Sequence, residues 1–72
     1  MEIRAEILRM EGGLAQAGAS ARALCDRAGV NQSTWTRWKS GATAPNLSTW
    51  GRVQAAYADL TAEAAARSSG AA

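Results

Sequence analysis

Ser20-Ala21-Arg22-Ala23-Leu24-Cys25-Asp26-Arg27-Ala28-Gly29-Val30-Asn31-Gln32-Ser33-Thr34-Trp35-Thr36-Arg37-Trp38-Lys39-Ser40-Gly41 is punctuated like two short helices with a tight turn between them. Ser20 is a good N-cap, because its hydroxyl can accept from a backbone N–H that the first helical turn leaves unpaired. Gly29 suits the left-handed residue that ends a helix without a Cβ penalty. Asn31 can cap a second helix over Gln32 to Ser40, and Gly41 can end it as Gly29 ends the first. Leu24, Ala28, Val30, Trp35 and Trp38 fall where apolar side chains would lock the angle between the two helices. Cys25 supplies a small residue where they cross.

Two helices joined by a three-residue turn containing glycine form the unit that lays its second helix in the DNA major groove. On a helical wheel Trp35 and Trp38 lie about 60° apart and face inward together. Ser33, Thr36, Arg37 and Ser40 spread over the opposite side, and Gln32 sits at the helix start. That outward face carries hydrogen-bonding groups and a guanidinium but no carboxylate. Gln pairs bidentately with adenine, Arg with guanine, and Ser or Thr with either. Gln32, Ser33, Thr36 and Arg37 are therefore the expected base-reading residues. Lys39 and Arg22 are placed to touch phosphates.

The surroundings extend the helical pattern. Ile3, Ile7, Met10 and Leu14 form one stripe, so a helix is expected there, either fraying at Gly12-Gly13 or continuing weakly toward Gln16. Pro45 excludes helix just before it, and Asn46 can cap a last helix. In that helix Leu47, Trp50, Val53, Tyr57 and Leu60 are read as one apolar face, with Ser48, Arg52, Asp59 and Glu63 opposite. Its end near Tyr57 or near Arg67 is left open by the pattern, and 68–72 reads as a flexible tail. Core packing is the expected role of Trp35 and Trp50, while the spacing leaves Trp38 between core and surface.

From Gly29 to Gly41, with Pro45 and Leu47 after it, the chain resembles the lambda-repressor/Cro-type helix-turn-helix family, over about residues 18 to 57. The resemblance implies an all-α bundle of four to five helices and transcriptional control. It implies Gln32, Ser33 and Arg37 as base-contacting positions, with Ser40 and Thr43 near phosphates. Two departures stand out. Members of the family often carry glutamine where this chain has Ala21, so backbone contact is expected to pass to Arg22. Trp35 replaces a smaller Ile or Val, and the small Ala23, Cys25 and Ala28 can make room for it.

Composition narrows the class. Seventy-two residues make one domain, read as 1–67 with the helix-turn-helix at 20–41. Alanine is abundant and phenylalanine absent, which favours helix. The lone Cys25 allows no internal disulfide, and the lack of histidine argues against a metal site. No cofactor is expected, nor an enzyme, since no nucleophile–base pair is visible. Between Ser20 and Arg52 stand Arg22, Arg27, Arg37, Lys39 and Arg52 against Asp26 alone, while the other acids gather at the two ends. A basic centre suits a polyanion. Without an apolar span or signal-like leader, a cytoplasmic setting is the simplest inference.

The expected function is thus a repressor-like transcription regulator of the phage or mobile-element kind. It would bind double-stranded DNA as a homodimer, through the C-terminal helix region, on a palindromic operator. The rival expectations are a protein-interaction module, such as an antitoxin or phage packaging subunit, and the DNA-targeting domain of a recombinase.

Overall fold

The computed structural model describes residues 2–70, with side chains through residue 67. Four helices account for almost all of them: α1 (Ile3–Gln16), α2 (Ala21–Ala28), α3 (Gln32–Ser40) and α4 (Leu47–Gly70). No strand occurs among the described residues, so the fold is all-α.

The helix boundaries follow from local chemistry. The Ser20 hydroxyl accepts from the Ala23 amide at 3.1 Å, and the Asn31 side chain accepts from the Ser33 amide at 2.8 Å. Asn46 receives the Thr49 amide at 2.8 Å and starts α4 in the same way. At the end of α2, Gly29 adopts φ +74°, and the Val30 amide turns back to the Cys25 carbonyl at 2.8 Å. This closure satisfies carbonyls that the helix end would otherwise leave open. Gly41, at φ +85°, lets the Ala42 amide reach the Arg37 carbonyl at 2.9 Å.

The core is a single cluster to which every helix contributes. Ile7, Met10 and Leu14 come from α1, Leu24, Cys25 and Ala28 from α2, and Trp50, Val53 and Ala56 from α4. Trp35 and Trp38 of α3 complete it, each 4 % exposed. Trp38 is therefore as buried as its neighbours rather than partly exposed. It sits between the other two indoles, its ring centroid 6.0 Å from that of Trp35 and 6.4 Å from that of Trp50.

Leu47 departs from the expected apolar face, being 89 % exposed. At 100° per residue it points about 100° away from the mean direction of Trp50, Val53, Tyr57 and Leu60. The small Ala56, near the other edge of that stripe, is buried in its place.

Helix α1 passes through Gly12-Gly13 without breaking, since Leu14 beyond them is buried. The reason for a glycine at position 13 is steric: a Cβ there would collide with the Tyr57 hydroxyl. Helix α4, with 24 residues, runs well past Tyr57. Its length of about 36 Å explains why the molecule measures 43 Å along one axis and 21 × 19 Å across. Arg27 of α2 forks onto Glu63 at 2.7 and 3.1 Å, bracing this projecting part. The backbone of α4 reaches Gly70, within the stretch 68–72 read as a tail; residues 71 and 72 lie outside the described residues.

Two pairs of substitutions test this packing. Position 12 is open space, so Gly12→Ala should raise stability by up to about 1 kcal/mol through helix propensity. Gly13→Ala should instead lower the melting temperature, and matching gains for the two would contradict the Tyr57 contact. The Trp50 indole N–H is buried without an acceptor, whereas that of Trp35 is satisfied by Glu11 at 3.1 Å. Trp35→Phe should therefore cost about 1 kcal/mol more than Trp50→Phe in denaturant titrations.

Candidate nucleic-acid interface

Helix α3 turns two tryptophans inward, and the rest of its circumference follows from its pitch. Gln32, Ser33, Thr36, Arg37 and Ser40 are all exposed. No carboxylate lies on the helix itself. Among the described residues, Arg37 takes part in no ion pair.

Hydrogen bonds within the helix decide what its hydroxyls can offer. The Thr36 hydroxyl donates to the Gln32 carbonyl at 3.0 Å, and the Ser40 hydroxyl donates to the Arg37 carbonyl at 3.0 Å. Both oxygens thus keep their lone pairs outward while their protons are occupied. In that state they suit a donor, such as a cytosine or adenine amino group. Ser33 makes no such side-chain bond within the helix.

The site residues run along α3 and past its C-terminal end. Along one flank from its start, Gln32, Thr36 and Lys39 line a cleft of about 280 Å³ with Glu11 of α1 and Ala21 from the first turn of α2. Arg22, the next residue, is exposed beside it. At the other end, Thr43 is held close, its amide directed at the Arg37 carbonyl at 3.5 Å. Arg4 of α1 lies over this end, for a Cβ on Gly41 would meet its Cδ at 3.4 Å. The chain thus brings an additional guanidinium near Ser40 and Thr43, from a position that no local pattern links to them.

Lys39 is placed differently from the expectation. Its ammonium is paired with Glu11 of α1 at 2.9 Å, rather than standing free toward a phosphate. The other oxygen of the same carboxylate accepts the Trp35 indole N–H at 3.1 Å. Glu11 is therefore a two-armed brace between α1 and α3. Desolvation works against its charge, but hydrogen bonds from Lys39 and Trp35, and the Lys39 charge, outweigh it. They hold the carboxyl below the ordinary glutamate range. The sequence carried a signal for this brace: Glu11 stands four residues after Ile7 and three before Leu14, on the edge of the buried stripe of α1.

The basic centre is partly neutralised by folding. Glu11 takes Lys39, and Glu63, from the other acidic end, takes Arg27. Arg4, Arg22, Arg37 and Arg52 take part in no ion pair among the described residues. Cys25 borders the cleft but is 1 % exposed. Burial, followed by the charges of Asp26 and Glu11, pushes its thiol pKa up, which disfavours the reactive thiolate.

The Glu11 brace has a pH signature. A carboxyl with a depressed folded-state pKa stabilises fully above the ordinary value, and that contribution is lost as pH falls through the depressed one. The melting-temperature difference between wild type and Glu11→Gln should hold steady from neutrality and shrink below about pH 4.3, the ordinary glutamate value. A difference that grows in acid would contradict the brace.

No family model matches this chain, and no curated protein or solved structure matches it.

Proposed function

We propose that this protein binds double-stranded DNA sequence-specifically, with α3 in the major groove, as a cytoplasmic transcription regulator similar to the lambda-repressor/Cro-type helix-turn-helix proteins. The observation that carries the reading is the division of α3. One side is anchored by Trp35 and Trp38, and the other presents Gln32, Ser33, Thr36 and Arg37 to solvent without an acid among them. A face of this kind can exchange its water for base edges. The α2–α3 turn at Gly29, Val30 and Asn31 has the compactness that a helix-turn-helix requires.

In this reading Gln32, Ser33, Thr36 and Arg37 contact bases, Arg22 and Thr43 position the backbone, and the Ser40 hydroxyl joins them by turning its proton from the Arg37 carbonyl to a phosphate. The C-terminal part of α4, beginning at the half-buried Leu60 that also packs against the core, supplies the homodimer seam. Two reading helices then meet half-sites about one helical turn apart on a palindromic operator. No helix among the described residues is long and apolar enough to cross a membrane.

A second reading, a module that chiefly binds protein, draws on the open groove of about 640 Å³ beside Gly13, Tyr57 and Ala64. A footprint obtained with the protein alone favours the first reading, and one that requires a bound protein partner favours the second.

Gel-shift titrations with a duplex selected from a randomised pool, and with a scrambled duplex, test the assignment. Arg37→Ala should cost about 1–3 kcal/mol on the selected duplex and relax preference at one base pair. Arg22→Ala should weaken both duplexes alike and reduce the salt slope by about 1. Equal losses on the two duplexes for Arg37→Ala would remove Arg37 from the reading set.

A further inference from the structure

Lys39 is the only lysine in the chain, and it stands on the helix assigned to the groove. A lysine there would ordinarily be counted among the phosphate contacts. Its ammonium is instead 2.9 Å from a Glu11 oxygen, and the Glu11 side chain is only 24 % exposed. The carboxylate cannot swing away freely, because its second oxygen is tied to the indole N–H of the buried Trp35. Lys39 is the mobile partner and Glu11 the fixed one.

We propose that Glu11 is a positioning residue of the DNA interface: it sets α3 through Trp35 and holds Lys39 off the phosphate backbone. The inference rests on the DNA-binding reading and refines it. The geometry favours retention of the pair. Release would leave Glu11 with an uncompensated charge beside Gln32 and Thr36, which line the same cleft, as the DNA polyanion approaches. While Lys39 stays on Glu11, the pair brings no net charge to the DNA and displaces no counterion. The brace thereby lowers non-specific attraction and leaves discrimination to Gln32, Ser33, Thr36 and Arg37. Glutamine at position 11 separates the two roles. Its amide oxygen can still accept from Trp35, but it carries no charge to hold an ammonium.

The test measures the dependence of duplex affinity on salt for wild type, Lys39→Ala, Glu11→Gln and the double variant. Lys39→Ala alone leaves the Glu11 charge uncompensated beside the DNA and should weaken the selected and the scrambled duplex alike. Glu11→Gln should steepen the slope by about 0.9, which adds about a 3.5-fold loss of affinity over a fourfold rise in salt. The double variant should return to the wild-type slope. A merely structural Glu11 would change affinity without this reversal. A Glu11→Gln slope equal to that of wild type, with the double variant flatter than wild type by about 0.9, would overturn the inference.

A readout without DNA keeps the inference separate from the function it refines. Acylation of Lys39 by a soluble active ester, followed by mass spectrometry, should be several-fold faster in Glu11→Gln than in wild type. Equal rates would show that Glu11 does not hold the ammonium, whatever the duplex titrations give. Failure of wild type to bind any selected duplex would sink the DNA reading, and the acylation rates would still decide the pairing.

Discussion

Helix α3 has nine residues, fewer than an isolated helix needs to persist in water. Its existence depends on what it buries, and what it buries is Trp35 and Trp38. Trp38 packs against both Trp35 and Trp50 of α4, tying α3 to the longest helix of the fold. Because Trp35 and Trp38 leave from one side, every polar group on the other side is held at a fixed angle to the core. An outward face of defined geometry is thus a product of inward packing. Trp35 differs from Trp38 in also having a polar tether to Glu11, which fixes the rotation of α3 as well as its depth.

Charge in this chain is arranged by folding more than by sequence. Read linearly, most cations occupy the middle and most acids the ends. In three dimensions the ends fold back, so that Glu11 and Glu63 meet Lys39 and Arg27. Both pairs are partly exposed, and such pairs contribute little stability by themselves. Their larger effect is on the field around the molecule, since they withdraw two cations from the centre. Arg37 and Arg22 are left beside α3, joined from a distance by Arg4 over Gly41.

The α2–α3 unit was legible in the sequence because its limits are set by neighbours in the chain. Ser20, Gly29, Asn31 and Gly41 each act on amides or carbonyls within a few positions, and the observed bounds coincide with those read from them. Burial on α4 was legible at the centre of the stripe, at Trp50 and Val53. It failed at the edges of the stripe, where Leu47 lies outside the core and Ala56 inside it. Length alone misleads there, because angle decides which residue the core receives. The end of α4 was not legible, since alanine-rich sequence continues a helix without marking where packing stops. In the candidate site, exposure of Gln32, Ser33, Thr36 and Arg37 followed from helical pitch. The capture of Lys39 by Glu11 joins residues 28 positions apart, and only the packing of α1 on α3 brings them together.

In the function proposed, the outward face of α3 is the surface that meets DNA. The most direct measurement is the change in backbone amide resonances on adding a duplex recovered from a randomised pool. The largest changes should fall on residues 32–40, with smaller ones at Arg22 and Thr43, and little change along the projecting part of α4 beyond its dimer seam. Changes centred on the groove between α1 and α4, with α3 unaffected, would contradict that function.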